Sequence, residues 1–444
     1  MQAEPVAASD ALWLQDSPHN LMNIVGVYTT DTLDAATLRS VWLARVQSLD
    51  DGRRFPRFSK KVVSINGRDH WSEDPDFDIE RHIFEVEPSD HWGDGSWTRE
   101  RLTDYLGHLA ADPLPRDRPL WQILVLQGID KGKSAVITRI HHCMGDGMAL
   151  IPIMFSIQDP IGEGAERVEP KADDPTRRVA KAKPSRAKLW LKAPLAGPFV
   201  LLRKALARPD RSALHGPRPG GEKRVAWSQP IPLAQVKAIK NALGATVNDV
   251  LMAAVAGAFR RYLEQGGEPY DARLRASVPV NVRSAGEIPK MENRFATVLL
   301  DLPLHIGDGL TRVREVKARM DALKRSVEPL VMFGAVQVVL KTLPQRASRW
   351  VADFFANKCT CVLTNVPGPQ EPVAISGRRI HDMMFWVPQR AHIGIGVSIL
   401  SFAGTVRLGV ISDVDLMAEP HRLVEAFREE LEILREVSEK PVST

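Results

Sequence analysis

The sequence predicts an α/β protein of two domains, each a mixed sheet with flanking helices. Three observations predict it. A chain of 444 residues exceeds what one hydrophobic core usually organises, so it divides. Short runs with strand-like alternation occur in both halves and pair across tight turns. Between them lie longer runs whose apolar residues recur at helical spacing, each burying one face.

The elements follow in order. Thr32 to Leu49 reads as a helix after the start signal Asp31-Thr32. Trp121 to Gln127 and Ser134 to Ile140 read as strands, and Gly128-Ile129-Asp130-Lys131-Gly132-Lys133 as the hairpin turn joining them. An apolar, helix-compatible run follows from Met148 to Phe155. From about residue 160 to 230 the character changes: Pro and Gly recur, and Lys and Arg outnumber Asp and Glu. Within it, Leu189, Trp190, Leu191, Phe199, Val200, Leu201 and Leu202 mix with Lys188, Lys192, Arg203 and Lys204. Two readings stand: an interdomain linker with one packed helix, or an element that lies on a membrane or lipid-droplet surface. Pro194 and Pro198 count against an unbroken helix. In the second half Thr246 to Glu264 is the clearest helix, with Thr246 as N-cap and Gly266-Gly267 as stop. Arg275 to Val282, Thr297 to Leu302 and Thr360 to Val366 read as strands, and Ile393 to Phe402 with Thr405 to Ser412 as a hairpin turning at Ala403-Gly404. Pro420 to Val437 is a closing amphipathic helix with Leu423, Phe427, Leu431 and Leu434 on one face. The expected divisions are 1–160, a basic linker over 161–230, and 231–444.

Composition narrows the class. Apolar content of 44% with 25% charged residues is ordinary for a soluble globular chain. No run reaches the roughly 18 uninterrupted apolar residues of a spanning helix, and the N-terminus has no signal-like apolar region. Three cysteines, Cys143, Cys359 and Cys361, cannot build a disulfide framework, and one Cys-x-Cys without a second pair is poor zinc spacing. No metal and a reducing cytoplasm are expected. A pI near 9.1 points to an acidic partner; no nucleic-acid-binding motif is present.

The chemistry concentrates in His141-His142-Cys143-Met144-Gly145-Asp146-Gly147. The run follows a strand and precedes a helix. In a strand, neighbours face opposite sides, so His142 shares a face with Val136, Thr138 and Ile140, and His141 shares the other with Ile137 and Arg139. One imidazole can then face a cavity as a general base while the other packs into the scaffold. Two satisfied core histidines are the plainer alternative. Gly145 and Gly147 allow a tight turn, and Asp146 can hold the loop through an arginine or orient a histidine as in a triad. Elsewhere, Asn248 in a first helical turn can donate to a developing oxyanion, aided by the helix end. Asp249, three residues after Thr246, has capping-box spacing. No Gly-x-Ser-x-Gly elbow is present, which leaves only Cys143 as a conceivable covalent nucleophile.

The HHxxxDG run resembles that of the wax ester synthase/acyl-CoA:diacylglycerol acyltransferase family, relatives of chloramphenicol acetyltransferase and of peptide-synthetase condensation domains. Further runs match in order: Pro119-Leu120-Trp121, Thr246-Val247-Asn248-Asp249-Val250, Val278-Pro279-Val280-Asn281-Val282-Arg283, Glu292-Asn293-Arg294 and Thr364-Asn365-Val366-Pro367-Gly368-Pro369. Any one is common by chance; together and in order they are not. There are departures. Leu21-Met22-Asn23-Ile24-Val25-Gly26 stands where the family reads close to P-M-H-V-G, Asn281 replaces a serine and Glu292 a glycine.

The resemblance implies two chloramphenicol-acetyltransferase-like domains with the site at their interface. It selects His142 over His141 as base, gives Asp146 an ion pair with Arg283 as candidate partner, and counts Gly147, Asp249 and Arg283 as structural support. It sets Pro119, Leu120, Trp121 and Asn281 among the substrate-binding residues. It also implies acyl-CoA as donor substrate, a fatty alcohol or diacylglycerol as acceptor, no resident cofactor, and a cytoplasmic protein at the periphery of the inner membrane or of lipid droplets. A condensation-type or polyketide-associated acyltransferase using a carrier-protein thioester, and a non-catalytic lipid-binding protein, are the alternatives.

Overall fold

A computed structural model describes the chain apart from residues 1–2, 49–53, 93–95, 131, 162–185, 217, 269–272, 284–286, 288–289 and 440–444. Over 186–195 it describes the backbone, so Lys188, Leu189, Trp190, Leu191, Lys192 and Pro194 have side chains outside the described residues.

Two seven-stranded sheets organise the molecule. The first has the spatial order Ile83–Glu85, Trp121–Ile129, Lys133–His141, Asn23–Thr30, Arg378–Trp386, Val373–Ile375, Asp159–Pro160. The expected hairpin is present: Trp121–Ile129 and Lys133–His141 pair antiparallel, with Trp121 opposite Ile140. Asn23–Thr30 pairs on the other side, placing His141 opposite Asn23. The motif strand is therefore interior to the sheet, hydrogen-bonded along both edges.

The second sheet has the order Ile231–Pro232, Thr405–Asp413, Ile395–Phe402, Cys361–Pro367, Leu274–Asn281, Phe295–Leu302. Cys361–Pro367 runs parallel to both neighbours while the other pairs are antiparallel, so the sheet is mixed. Helix Val247–Gln265 packs on the closing helix Pro420–Glu439. The latter buries the expected face, Leu423, Phe427, Leu431 and Leu434; each such side chain contributes about 1.5–3 kcal/mol.

The structure corrects several expectations. The helix expected from Thr32 begins at Ala35, with Asp34 as N-cap accepting from the Thr37 amide at 2.7 Å. The Ser134 hydroxyl bonds both the Leu33 amide and the Leu33 carbonyl, each at 2.9 Å, and so holds residue 33 outside the helix. Helix Arg186–Leu206 runs unbroken through Pro194 and Pro198. It packs on helix Glu328–Thr342, where Lys204 Nζ meets Glu328 at 2.6 Å, and this docking overrides the local preference of proline. The divisions are not sequential either. Lys223–Trp227, placed in the linker by composition, pairs with Thr405–Asp413 in the second sheet. Val373–Ile375 and Arg378–Trp386, late in the chain, complete the first sheet. Neither is among the strands expected from the sequence.

Candidate active site

The motif changes from strand to turn at its second residue. His141 ends the strand, His142–Met144 form one 3₁₀ turn, and Asp146 caps helix Gly147–Ile157, accepting from the Ala149 amide at 3.0 Å. The two histidines diverge where strand gives way to turn. His141 is buried away from the cavity. Its Nδ1 accepts the Cys143 amide at 3.2 Å, so the ring proton sits on Nε2, which donates to Asp16 at 3.1 Å. Asp16 in turn holds Arg116 at 2.5 Å.

His142 lines the cavity. Its amide donates to the Met22 carbonyl at 2.7 Å, and its carbonyl accepts from Asn293 Nδ2 at 2.7 Å. The ring lies flat against Trp13, with centroids 3.8 Å apart and planes at 17°, and Phe295 sits 6.0 Å away. Nδ1 is buried without a hydrogen-bond partner, which leaves Nε2 as the nitrogen presented to the cavity. Burial pushes the imidazole down to about 4, against the opposing pull of the Asp146 carboxylate. His142 is thus neutral, with a free lone pair, across the physiological range.

Asp146 is not its orienter. Among the described residues no hydrogen bond joins it to either imidazole. It accepts from Arg283 Nη1 at 2.8 and 3.1 Å and from the Arg294 amide at 2.8 Å. Arg283 also donates to the Glu292 carbonyl at 2.6 Å. Both side chains of this pair are buried. Because Arg283 follows strand Leu274–Asn281, the pair fastens the motif loop to the second domain.

A cavity of about 1360 Å³ opens from His142. Ile24, Gly26, Thr138 and Ile140 of the first sheet and Leu150 and Met154 of the motif helix line one part; Met332, Phe333, Val351 and Phe355 line another. Chemically, this is a neutral imidazole at the wall of a large apolar chamber.

Residues 6–208 match the wax ester synthase/diacylglycerol acyltransferase catalytic domain, and residues 291–435 the WS/DGAT C-terminal domain. A putative diacylglycerol O-acyltransferase of Mycobacterium tuberculosis is 30% identical over 387 residues, covering 80% of this chain and 82% of the relative. The chain belongs to the WS/DGAT family. A putative diacylglycerol O-acyltransferase of Mycobacterium bovis is 29% identical over 395 residues, 84% of this chain and 83% of the relative. Among solved structures, the wax ester synthase/diacylglycerol acyltransferase from Marinobacter aquaeolei VT8 aligns with a TM-score of 0.69 at 19% identity, over 98% of this chain and 99% of that one. The first condensation domain of the CDA synthetase aligns with a TM-score of 0.60 at 15% identity, over 100% and 98%. These likenesses show the fold expected from the sequence. WS/DGAT proteins are acyltransferases, and this chain is an enzyme of that class.

The other WS/DGAT motifs fall into two groups. Trp121 reaches the cavity, stacked on Trp42 at 4.7 Å and donating to the Phe58 carbonyl at 3.0 Å, whereas Pro119 and Leu120 are buried beside it and do not line the cavity. Asn248 lines the cavity and accepts from Asn365 Nδ2 at 3.1 Å. Asp249 completes the capping box with Thr246. Asn281 lines the cavity and accepts the Arg283 amide at 2.9 Å, while Gly147 lines it from the first position of its helix. The Cys143 thiol is fully buried, which holds its pKa well above the ordinary range. Among the described residues no cluster of three or more His, Cys, Asp or Glu could hold a metal ion.

Five residues around the WS/DGAT turn went unrecognised in the sequence: Asp10, Trp13, Asp16, Arg57 and Asn293. Four lie in chain segments without a motif, and only Asn293 sat in a quoted run. Asp10, buried in the short helix Ala8–Ala11, reads in the sequence as a surface acid.

Proposed function

We propose that the protein moves a fatty acyl group from acyl-CoA to the hydroxyl of a long-chain alcohol or diacylglycerol, with His142 as general base. The observation that carries this is the neutral imidazole whose Nε2 presents to an apolar chamber large enough for lipid chains. Nε2 takes the hydroxyl proton as the oxygen attacks the thioester carbonyl. The carbon–sulfur bond then breaks, and the same proton passes to the departing thiolate. Asn248 is the proposed donor to the transient oxyanion. No cofactor is needed, because the thioester is itself the activated species. The names of the relatives support acceptors of this class.

Direct attack requires both substrates bound together, so proximity replaces covalent catalysis. Initial rates with both substrates varied are expected to give intersecting double-reciprocal lines. Incubation with acyl-CoA alone should leave the protein mass unchanged; a gain of one acyl group, absent in Cys143→Ala, would establish an acyl-cysteine instead.

We also propose a cytoplasmic enzyme that works at a lipid surface. Phe199, Leu202 and Leu206 on helix Arg186–Leu206 are 69%, 57% and 73% exposed, and Trp350 is 69% exposed on helix Gln345–Ala356. The cations Arg203 and Lys204 are engaged with Glu328, so apolar insertion contributes more than charge. Changing Phe199, Leu202, Leu206 and Trp350 together to Ser should lower vesicle binding at least about tenfold, since each buried apolar side chain is worth about 1.5–3 kcal/mol. Co-sedimentation with anionic vesicles measures it, and equal binding by both proteins would refute the lipid-surface proposal. Among the described residues no single helix is long and apolar enough to cross a membrane.

A further inference from the structure

We infer that Trp13 is a positioning residue for acyl transfer: it is a lid that keeps the His142 imidazole dry and in one plane, and Asp10 locks that lid to the catalytic turn. The inference rests on His142 being the base proposed above.

Asp10 is completely buried. Its Oδ2 accepts from Arg57 Nη2 at 2.7 Å, and its Oδ1 accepts the amide and the Nδ2 of Asn293 at 2.8 and 2.9 Å. Those two partners reach onward. Arg57 Nη1 donates to the carbonyls of Cys143 and Met144 at 2.9 and 3.1 Å, and Asn293 Nδ2 donates to the carbonyl of His142 at 2.7 Å. One carboxylate thus governs the carbonyls of three consecutive residues, the whole 3₁₀ turn. The same segment carries the lid. The Trp13 amide donates to the Asp10 carbonyl at 3.0 Å, and the indole lies 3.8 Å from the imidazole. From the connection between strands Arg378–Trp386 and Ile395–Phe402, Arg390 grips the Leu12 carbonyl at 3.1 Å and Gln15 Oε1 at 3.3 Å. Segment 10–16 is therefore fastened at both ends, with the indole held between.

The charged groups around the ring do not account for its low pKa. The Asp146 carboxylate favours the imidazolium, as do hydrogen bonding to the ring's own main chain and to the neutral Asn293 amide, while His141 opposes it. Arg283 is paired with Asp146, and Arg57 with Asp10. Phe295 carries no charge. Burial is the dominant cause, and the flat indole covers one whole face of the ring. An indole also attracts an imidazolium, which works the other way; in a desolvated site that attraction is worth roughly 1.5 pH units. Complete burial moves a titration by up to about 3–5 pH units, so desolvation wins.

Trp13→Ala should therefore raise the His142 titration from about 4 by roughly one pH unit or more. Trp13→Phe, which restores a flat apolar cover, should return it close to wild type. Histidine-labelled protein followed by NMR, with His142→Gln to assign the resonance, reads the titration directly. The acid limb of kcat/KM is expected to move with it. If Trp13→Ala titrates as wild type does, or loses activity equally at every pH, the lid is overturned and Trp13 only packs. The NMR arm needs no turnover. An inactive wild-type protein would refute the transfer reaction while leaving the titration to decide the lid.

Discussion

His142→Ala is expected to lower acyl transfer by roughly 10²–10⁴-fold, the usual contribution of one positioned general base, while the protein stays folded. The ring is held by stacking and burial, and the main-chain bonds to Met22 and Asn293 survive its removal. Retention of more than about a tenth of wild-type turnover, far above the loss expected of a base, would refute the assignment. The same substitution has a signature in stability. The folded value of about 4 lies below the ordinary 6.5 of an imidazole, so the unfolded chain binds this proton more readily. The neutral ring contributes stability that is fully present above pH 6.5 and is lost as pH falls toward 4. The alanine variant lacks that proton-linked loss, so its stability should fall less steeply than wild type over that window in acid-unfolding curves.

Asp146→Ala is expected to damage the fold as well as the activity. Arg283 would be left buried without its partner, the Arg294 amide would lose its acceptor, and helix Gly147–Ile157 would lose its side-chain cap. Removing one member of a buried pair costs about 3–5 kcal/mol, which thermal unfolding reads as a large drop in melting temperature. Adding Arg283→Met should restore part of the loss, because the stranded charge goes with it. A variant that melts with wild type yet is inactive would move Asp146 from scaffold to chemistry.

The local signals in this sequence were legible wherever one element decides its own form. The hairpin around Gly128–Lys133, the capped helix from Val247 and the closing helix from Pro420 stand close to their expected bounds. The divergence of His141 and His142 was expected from strand alternation, and it stands although His142 belongs to the turn that follows the strand. What escaped depends on distant partners. Leu33 is kept out of a helix by Ser134, and strand Arg378–Trp386 joins the sheet of the other half. Asp10 faces the motif turn only because Asn293 and Arg57 arrive from far along the chain. Helical or strand period reports burial of a face; it carries no address for the surface that buries it.

That late strand has a consequence for how the enzyme is born. Arg379 and Asp31, which bond across the seam where Arg378–Trp386 meets the opening strand, are 348 residues apart. At about 5–20 residues per second of synthesis, the edge of Asn23–Thr30 waits tens of seconds for its neighbour. Until then it offers a bare ladder of amides and carbonyls beside the motif strand, an invitation to pair with another nascent chain. The sheet that carries the motif strand therefore closes only once Arg378–Trp386 has been made, and a chain stopped before that point would keep this edge unpaired.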